Sequence, residues 1–159
     1  MHDIPWYLAL AISIPQAILM IYIGFSLCNI KVELSRCIVC SIIIAVMAYF
    51  IRRLPILLAA NTLILTVVLV ILTSLVFRIQ LGKTLIAVLL GVMVSGVIEG
   101  AVIQLFLLAS SYTAEELLVN AGLNMIAYIP VFIVTLSVLG LIKHFDFLAF
   151  DLGKRELDA

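Results

Sequence analysis

The sequence predicts an all-α polytopic membrane protein: a transmembrane helical bundle of five spanning helices, N-terminus outside and C-terminus in the cytosol. Three observations predict it. Of 159 residues, 66% are hydrophobic and only 11% are charged, against about 25% charged in ordinary globular domains. A soluble fold of this length could not hide so much apolar surface. The apolar residues fall into five charge-poor runs, near the roughly 20 residues a helix needs to cross hydrocarbon. Finally, lysine and arginine gather on alternate loops, as the positive-inside rule requires of a multi-pass chain.

Helix 1 is predicted over 5–29. Pro5 stands where a first turn tolerates proline, and Trp6 and Tyr7 suit a membrane interface. The segment lacks a basic start and a small-residue cleavage site, so it reads as a spanning helix and not as a signal peptide. Helix 2 is predicted over 35–53, with a charge-free centre of only 15 residues. Arg36 and Arg52 can snorkel at its two ends, which lets the short segment span. Helix 3 covers 55–77 and opens on Pro55. Helix 4 covers 84–110 and is interrupted only by Glu99, and helix 5 covers 117–142. Residues 143–159 form a short, mostly polar cytosolic tail. The loops are short, and no internal repeat suggests an inverted-repeat transporter.

With the N-terminus outside, the cytosolic loops carry Lys31, Arg36, Arg78, Lys83, Lys143, Lys154 and Arg155, and the outer loops carry Arg52 and Arg53. That asymmetry sets the predicted N-out, C-in orientation. Net charge is zero, and no basic tract points to nucleic acid.

Five strongly polar side chains interrupt the apolar runs: Gln16, Asn61, Glu99, Gln104 and Asn124. From the rise per residue, Asn61, Gln104 and Asn124 sit roughly 9 Å below the outer surface, and Gln16 and Glu99 roughly 16 Å below it. All five fall in the outer half. Amides and carboxylates in hydrocarbon seek partners, so the bundle is expected to gather them into a polar layer that opens outward, with Arg52 and Arg53 at its lip. Pro15 and Pro130 fall at similar depth as candidate hinges, each freeing a carbonyl one turn earlier, at Ala11 and Ile126. Two readings stand side by side: interhelical hydrogen bonds that serve assembly, or a pocket for a ligand or ion.

Glu99 is the sharpest of these residues, because a carboxylate at helix centre costs about 3 kcal/mol even on the mild insertion scale. Arg52 and Arg53 are the nearest cations by depth. Around Glu99 runs a small-residue pattern, Gly91, Ser95, Gly96 and Gly100. It includes a GxxxG element expected to pack helix on helix within the bundle.

Enzymatic chemistry is not indicated. Cys37-Ile38-Val39-Cys40 has the form of a thiol pair, yet with Cys28 it is better read as apolar packing. No histidine completes a metal site, and His2 and His144 fall on opposite faces. HExxH, phosphate-loop and GxSxG patterns are missing from the sequence. The expectation is a non-enzyme with no cofactor and no metal.

The stretch Ser13-Ile14-Pro15-Gln16-Ala17-Ile18-Leu19-Met20-Ile21-Tyr22-Ile23-Gly24, the turn Arg53-Leu54-Pro55 followed by Asn61-Thr62-Leu63, and then Glu99 resemble one known arrangement. It is the N-terminal membrane domain of Gram-positive sensor histidine kinases. In those proteins several helices precede a sporulation-phosphotransferase-like dimerisation helix and a GHKL-type ATPase. The resemblance implies a bacterial plasma-membrane location and signal perception, with Pro15, Gln16, Arg53, Pro55 and Glu99 in the sensory core. No kinase follows within these residues, so the expectation is a stand-alone relative or a truncated sensor. On this reading the chain is a sensory or regulatory module, relaying through helix 5 and the tail. Its implied partners are the lipid bilayer and either a cytosolic kinase or regulator or further copies of the chain. The alternative is a small transporter or membrane subunit using Glu99 as a proton or cation site.

Overall fold

The computed structural model describes residues 6–51, 58–110, 112–113, 116–117, 120–145, 147, 149 and 151. Arg52, Arg53 and Pro55 lie outside the described residues. Over the described residues the chain is all-helical, and five helices are long and apolar enough to cross a membrane. They are α1 (Trp6–Leu27), α2 (Leu34–Ile51), α3 (Leu58–Phe77), α4 (Leu81–Ala109) and α5 (Ala121–His144). Large apolar side chains such as Leu63, Leu75, Met93, Val97 and Leu108 are exposed on the outside of the bundle. That surface suits lipid and not water, and the protein is a multi-pass membrane protein.

Helix boundaries differ from the apolar runs where local hydrogen bonding overrides composition. α4 begins at Leu81, three residues before the run at 84, and Thr84 bonds through both its amide (3.0 Å) and its hydroxyl (3.2 Å) to the Gln80 carbonyl. Lys83 is therefore inside the first turn. α5 begins at Ala121 and not at 117, because the Asn120 side chain caps it. Its Oδ1 accepts from the amides of Gly122 (3.1 Å) and Leu123 (3.3 Å). Just before, Thr113 and Glu116 bond reciprocally as a capping box (2.9 and 3.3 Å). α1 and α3 end through left-handed residues that are not glycine, Asn29 and Arg78, each at φ 56°. After α1 the amides of Ile30 and Asn29 return to the carbonyls of Phe25 and Ser26 (3.0 and 3.1 Å), the six-to-one and five-to-two bonds of a Schellman end.

α1 and α4 form the central pair. α2 and α3 cover it on one side, α2 against α1 and α3 against α4, and α5 packs on both from the other. The seam of the central pair is backbone against backbone. A Cβ on Gly24 would lie 2.1 Å from the Ala87 carbonyl oxygen, and one on Gly91 would lie 2.4 Å from that of Met20. The expected small-residue packing is thus displaced. Gly91 lies in the seam with Gly24, a partner the sequence reading did not single out, whereas Gly96 and Gly100 face open space.

The apolar core fills the half of the bundle nearer the end of α1. It is built from Ile21, Phe25, Ile44, Leu69 and Val88 with Cys28, Cys37 and Cys40, whose free thiols are fully buried. Hydroxyls inside the helices satisfy themselves on the preceding turn, as Thr73 on Leu69 (2.6 Å) and Thr135 on Val131 (2.7 Å). The other half of the bundle holds the polar site.

Candidate functional site: the Glu99 carboxyl group between three helices

α1 and α4 run antiparallel, so residues equally far from the start of one and the end of the other lie level. Gln16 is ten residues into α1, and Glu99 is ten residues from the end of α4. The two meet: Gln16 Nε2 donates to Glu99 Oε2 at 2.7 Å. From the opposite side, the Tyr128 hydroxyl on α5 donates to Glu99 Oε1. Both carboxyl oxygens are used as acceptors, and one side chain of α4 is thereby bonded to α1 and to α5 at once.

Two cavities flank this group. One, of about 320 Å³, lies toward α2 and α3 and is lined by Gln16, Glu99, Ser95, Thr62 and Thr66 among others. The second, of about 240 Å³, lies toward α5 and is almost wholly apolar, with Ala11, Pro15, Phe132 and Ile133 in its wall. Gln16, Ser95 and Tyr128 line both. The hydrogen-bonded group is therefore the partition between the cavities. The Ser95 hydroxyl, one turn before Glu99, is buried and has no hydrogen-bond partner. Unlike the hydroxyls of Thr73 and Thr135 it does not return to its own helix, and it leaves a donor and an acceptor for whatever enters.

No family model, curated protein or solved structure matches the chain. The site is therefore read from its own geometry.

The expected polar layer contracts to part of its members. Gln16 and Glu99 converge as their depths predict. Asn61 is buried and Asn124 half-buried, each with an Oδ1 that has no partner, and neither lines either cavity. Gln104 is exposed on the outside of α4. Arg52 and Arg53, the cations expected near Glu99, lie outside the described residues. Pro15 stands in the wall of the apolar cavity, next to Gln16, and Pro130 lies inside α5. Tyr128 is the residue that sequence reasoning missed. Its signal was available: α5 carries a single phenol, at a depth close to that of Glu99, and a tyrosine hydroxyl inside a span needs a partner.

Chemically, the arrangement is a carboxyl group held by an amide and a phenol beside a partly open cavity. Each carboxylate oxygen keeps a second lone pair after accepting one bond. An entering cation, ammonium or hydroxyl group can engage those lone pairs or displace the donors already there. Among the described residues no group of three histidine, cysteine or carboxylate side chains forms a metal site.

Proposed function

We propose that the chain is a non-enzymatic sensory or regulatory module of a bacterial plasma membrane, oriented N-out and C-in. It perceives a ligand or membrane-borne signal at the Glu99 group and relays it through α5 and the segment that follows. One observation carries the reading: Glu99 bonds α4 to both α1 and α5 at the wall of a cavity of about 320 Å³. A molecule competing for the carboxyl oxygens loosens two helix contacts together. The relay has a path. Beyond α5 the chain returns to the end of α1, where the Ala149 amide bonds the Leu27 carbonyl (2.9 Å) and Asn29 bonds Asp151 (2.8 Å). Movement of α5 is thus felt where a cytosolic kinase or regulator, or a second copy of the chain, could dock. The resemblance to sensor-kinase membrane domains favours the same reading.

The test uses the full chain in lipid nanodiscs, with spin labels at two exposed sites near the α5 end of the bundle, Leu85→Cys on α4 and Leu141→Cys on α5. The native thiols are buried and do not compete for label. Glu99→Gln and Tyr128→Phe should each shift the distance distribution between the labels. An unchanged distribution in both variants would sink the relay. A proton or cation flux in proteoliposomes that disappears in Glu99→Gln would move the assignment to a transporter.

A further inference from the structure

At the other end of the bundle, away from Glu99, a groove of about 450 Å³ opens between the last turns of α1 and α5. Its wall carries Tyr22, Ser26, Asn29, Lys31, Lys143 and Phe147. Tyr22 and Ser26 are one turn apart on α1 and so present one face. Lys143, in the last turn of α5, holds its ammonium 5.0 Å from the centre of the Tyr22 ring. Lys31 follows the end of α1 and is exposed.

Two helix C-termini converge here, and their partial negative charge is what lysines ordinarily offset. That explanation is incomplete, because the α1 carbonyls are already used. Phe25 O accepts from Cys28 and Ile30, Ser26 O from Asn29, and Leu27 O from Ala149. Among the described residues neither lysine has a carboxylate in ion-pair reach; the salt bridge nearby joins Arg36 to Glu33. The hydroxyls of Tyr22 and Ser26 have no hydrogen-bond partner among the described residues either, unlike the threonines of the same bundle. Asp151, on the segment after α5, accepts from the Asn29 side-chain amide. Two cations and two unused hydroxyl donors therefore face one volume, at the level where spanning helices meet lipid headgroups.

We infer that this groove binds a phosphate ester, and specifically the headgroup of an anionic phospholipid. Basic pockets between helix ends at the headgroup level are suited to such ligands. Ile30, Val32 and Ile142 add apolar walls to the same groove, which suits a lipid better than a free anion. The assignment does not depend on the Glu99 reading.

The full chain in detergent is melted with added phosphatidylglycerol, phosphatidylcholine or inorganic phosphate, and lipid retention is read by native mass spectrometry. Phosphatidylglycerol should stabilise the wild type at concentrations where phosphatidylcholine does not. Lys31→Gln/Lys143→Gln should weaken that response about thirtyfold, at about fivefold per lysine. Ser26→Leu fills the groove without altering charge and should weaken it as well. Arg78→Gln, which removes a cation at the same end of the bundle but outside the groove, should respond like the wild type. Should the double variant melt early without lipid, retention by Ser26→Leu decides. Equal responses to the two lipids, equal losses in Arg78→Gln and the double variant, or undiminished retention in Ser26→Leu each overturn the site. A response to inorganic phosphate as large as that to phosphatidylglycerol overturns the lipid assignment.

Discussion

The Glu99 carboxyl group in the spanning part of this bundle is accommodated by sharing it between neighbours. Gln16 and Tyr128 supply one donor to each oxygen of Glu99, so removing either leaves a carboxyl oxygen facing a cavity. Hydrogen bonds between spanning helices average about 0.6 kcal/mol and reach about 1.7. Tyr128→Phe is expected to fall in that range, as measured by unfolding in mixed micelles. Combined with Gln16→Leu it should show coupling, since both act on one group. The cysteines make a second prediction at this scale. All three are fully buried among apolar side chains, so a membrane-permeant maleimide should leave them unmodified in the folded protein and label them after unfolding. What the sequence disclosed here was depth. The rise per residue puts Gln16 and Glu99 level without reference to any fold. Azimuth was not legible, because it depends on which helices are neighbours, and so Asn61, Gln104 and Asn124 could not be told from true members of the site. Tyr128 escaped notice because its apolar ring counts toward a hydrophobic run while its hydroxyl does the bonding.

The helices are joined at the centre of the bundle by the absence of side chains. Gly24→Ala and Gly91→Ala each force a methyl group against a carbonyl oxygen of the facing helix, and each should destabilise the protein by roughly 1–3 kcal/mol, the usual range for overpacking. Gly96→Ala and Gly100→Ala meet open space. They should be neutral or gain up to about 1 kcal/mol from helix propensity. Thermal melting of the four variants in one detergent distinguishes the seam from the decoy. The sequence offered Gly91, Gly96 and Gly100 in one small-residue pattern and did not single out Gly24; only the crossing point of α1 and α4, fixed by packing, tells seam from open face. The five helices themselves were readable because each must supply its own apolar length. Their ends were less so. The Asn120 side chain caps α5, and the Thr84 amide and hydroxyl both return to the Gln80 carbonyl at the start of α4; a count of charge-free residues does not register such bonds.

For the molecule as a whole, five crossings by the helices among the described residues put the start of α1 and the end of α5 on opposite sides of the bilayer. On the proposed orientation, an alkaline phosphatase fused to the C-terminus should be inactive in intact cells, and a fluorescent reporter fused there should fold in the cytosol. The reverse pattern would invert the orientation. The broad apolar exterior predicts that alkaline carbonate leaves the protein in the membrane pellet and that only detergent releases it. The glycine seam has a mechanical consequence. Gln16 and Glu99 lie eight residues from Gly24 and Gly91 along their own helices, an arm of roughly 12 Å. Backbone resting on backbone has no side chain to compress. α1 and α4 can then swing about that crossing like the blades of scissors, so that a change of about 5° in their angle becomes a shift of about 1 Å at the Glu99 carboxyl group.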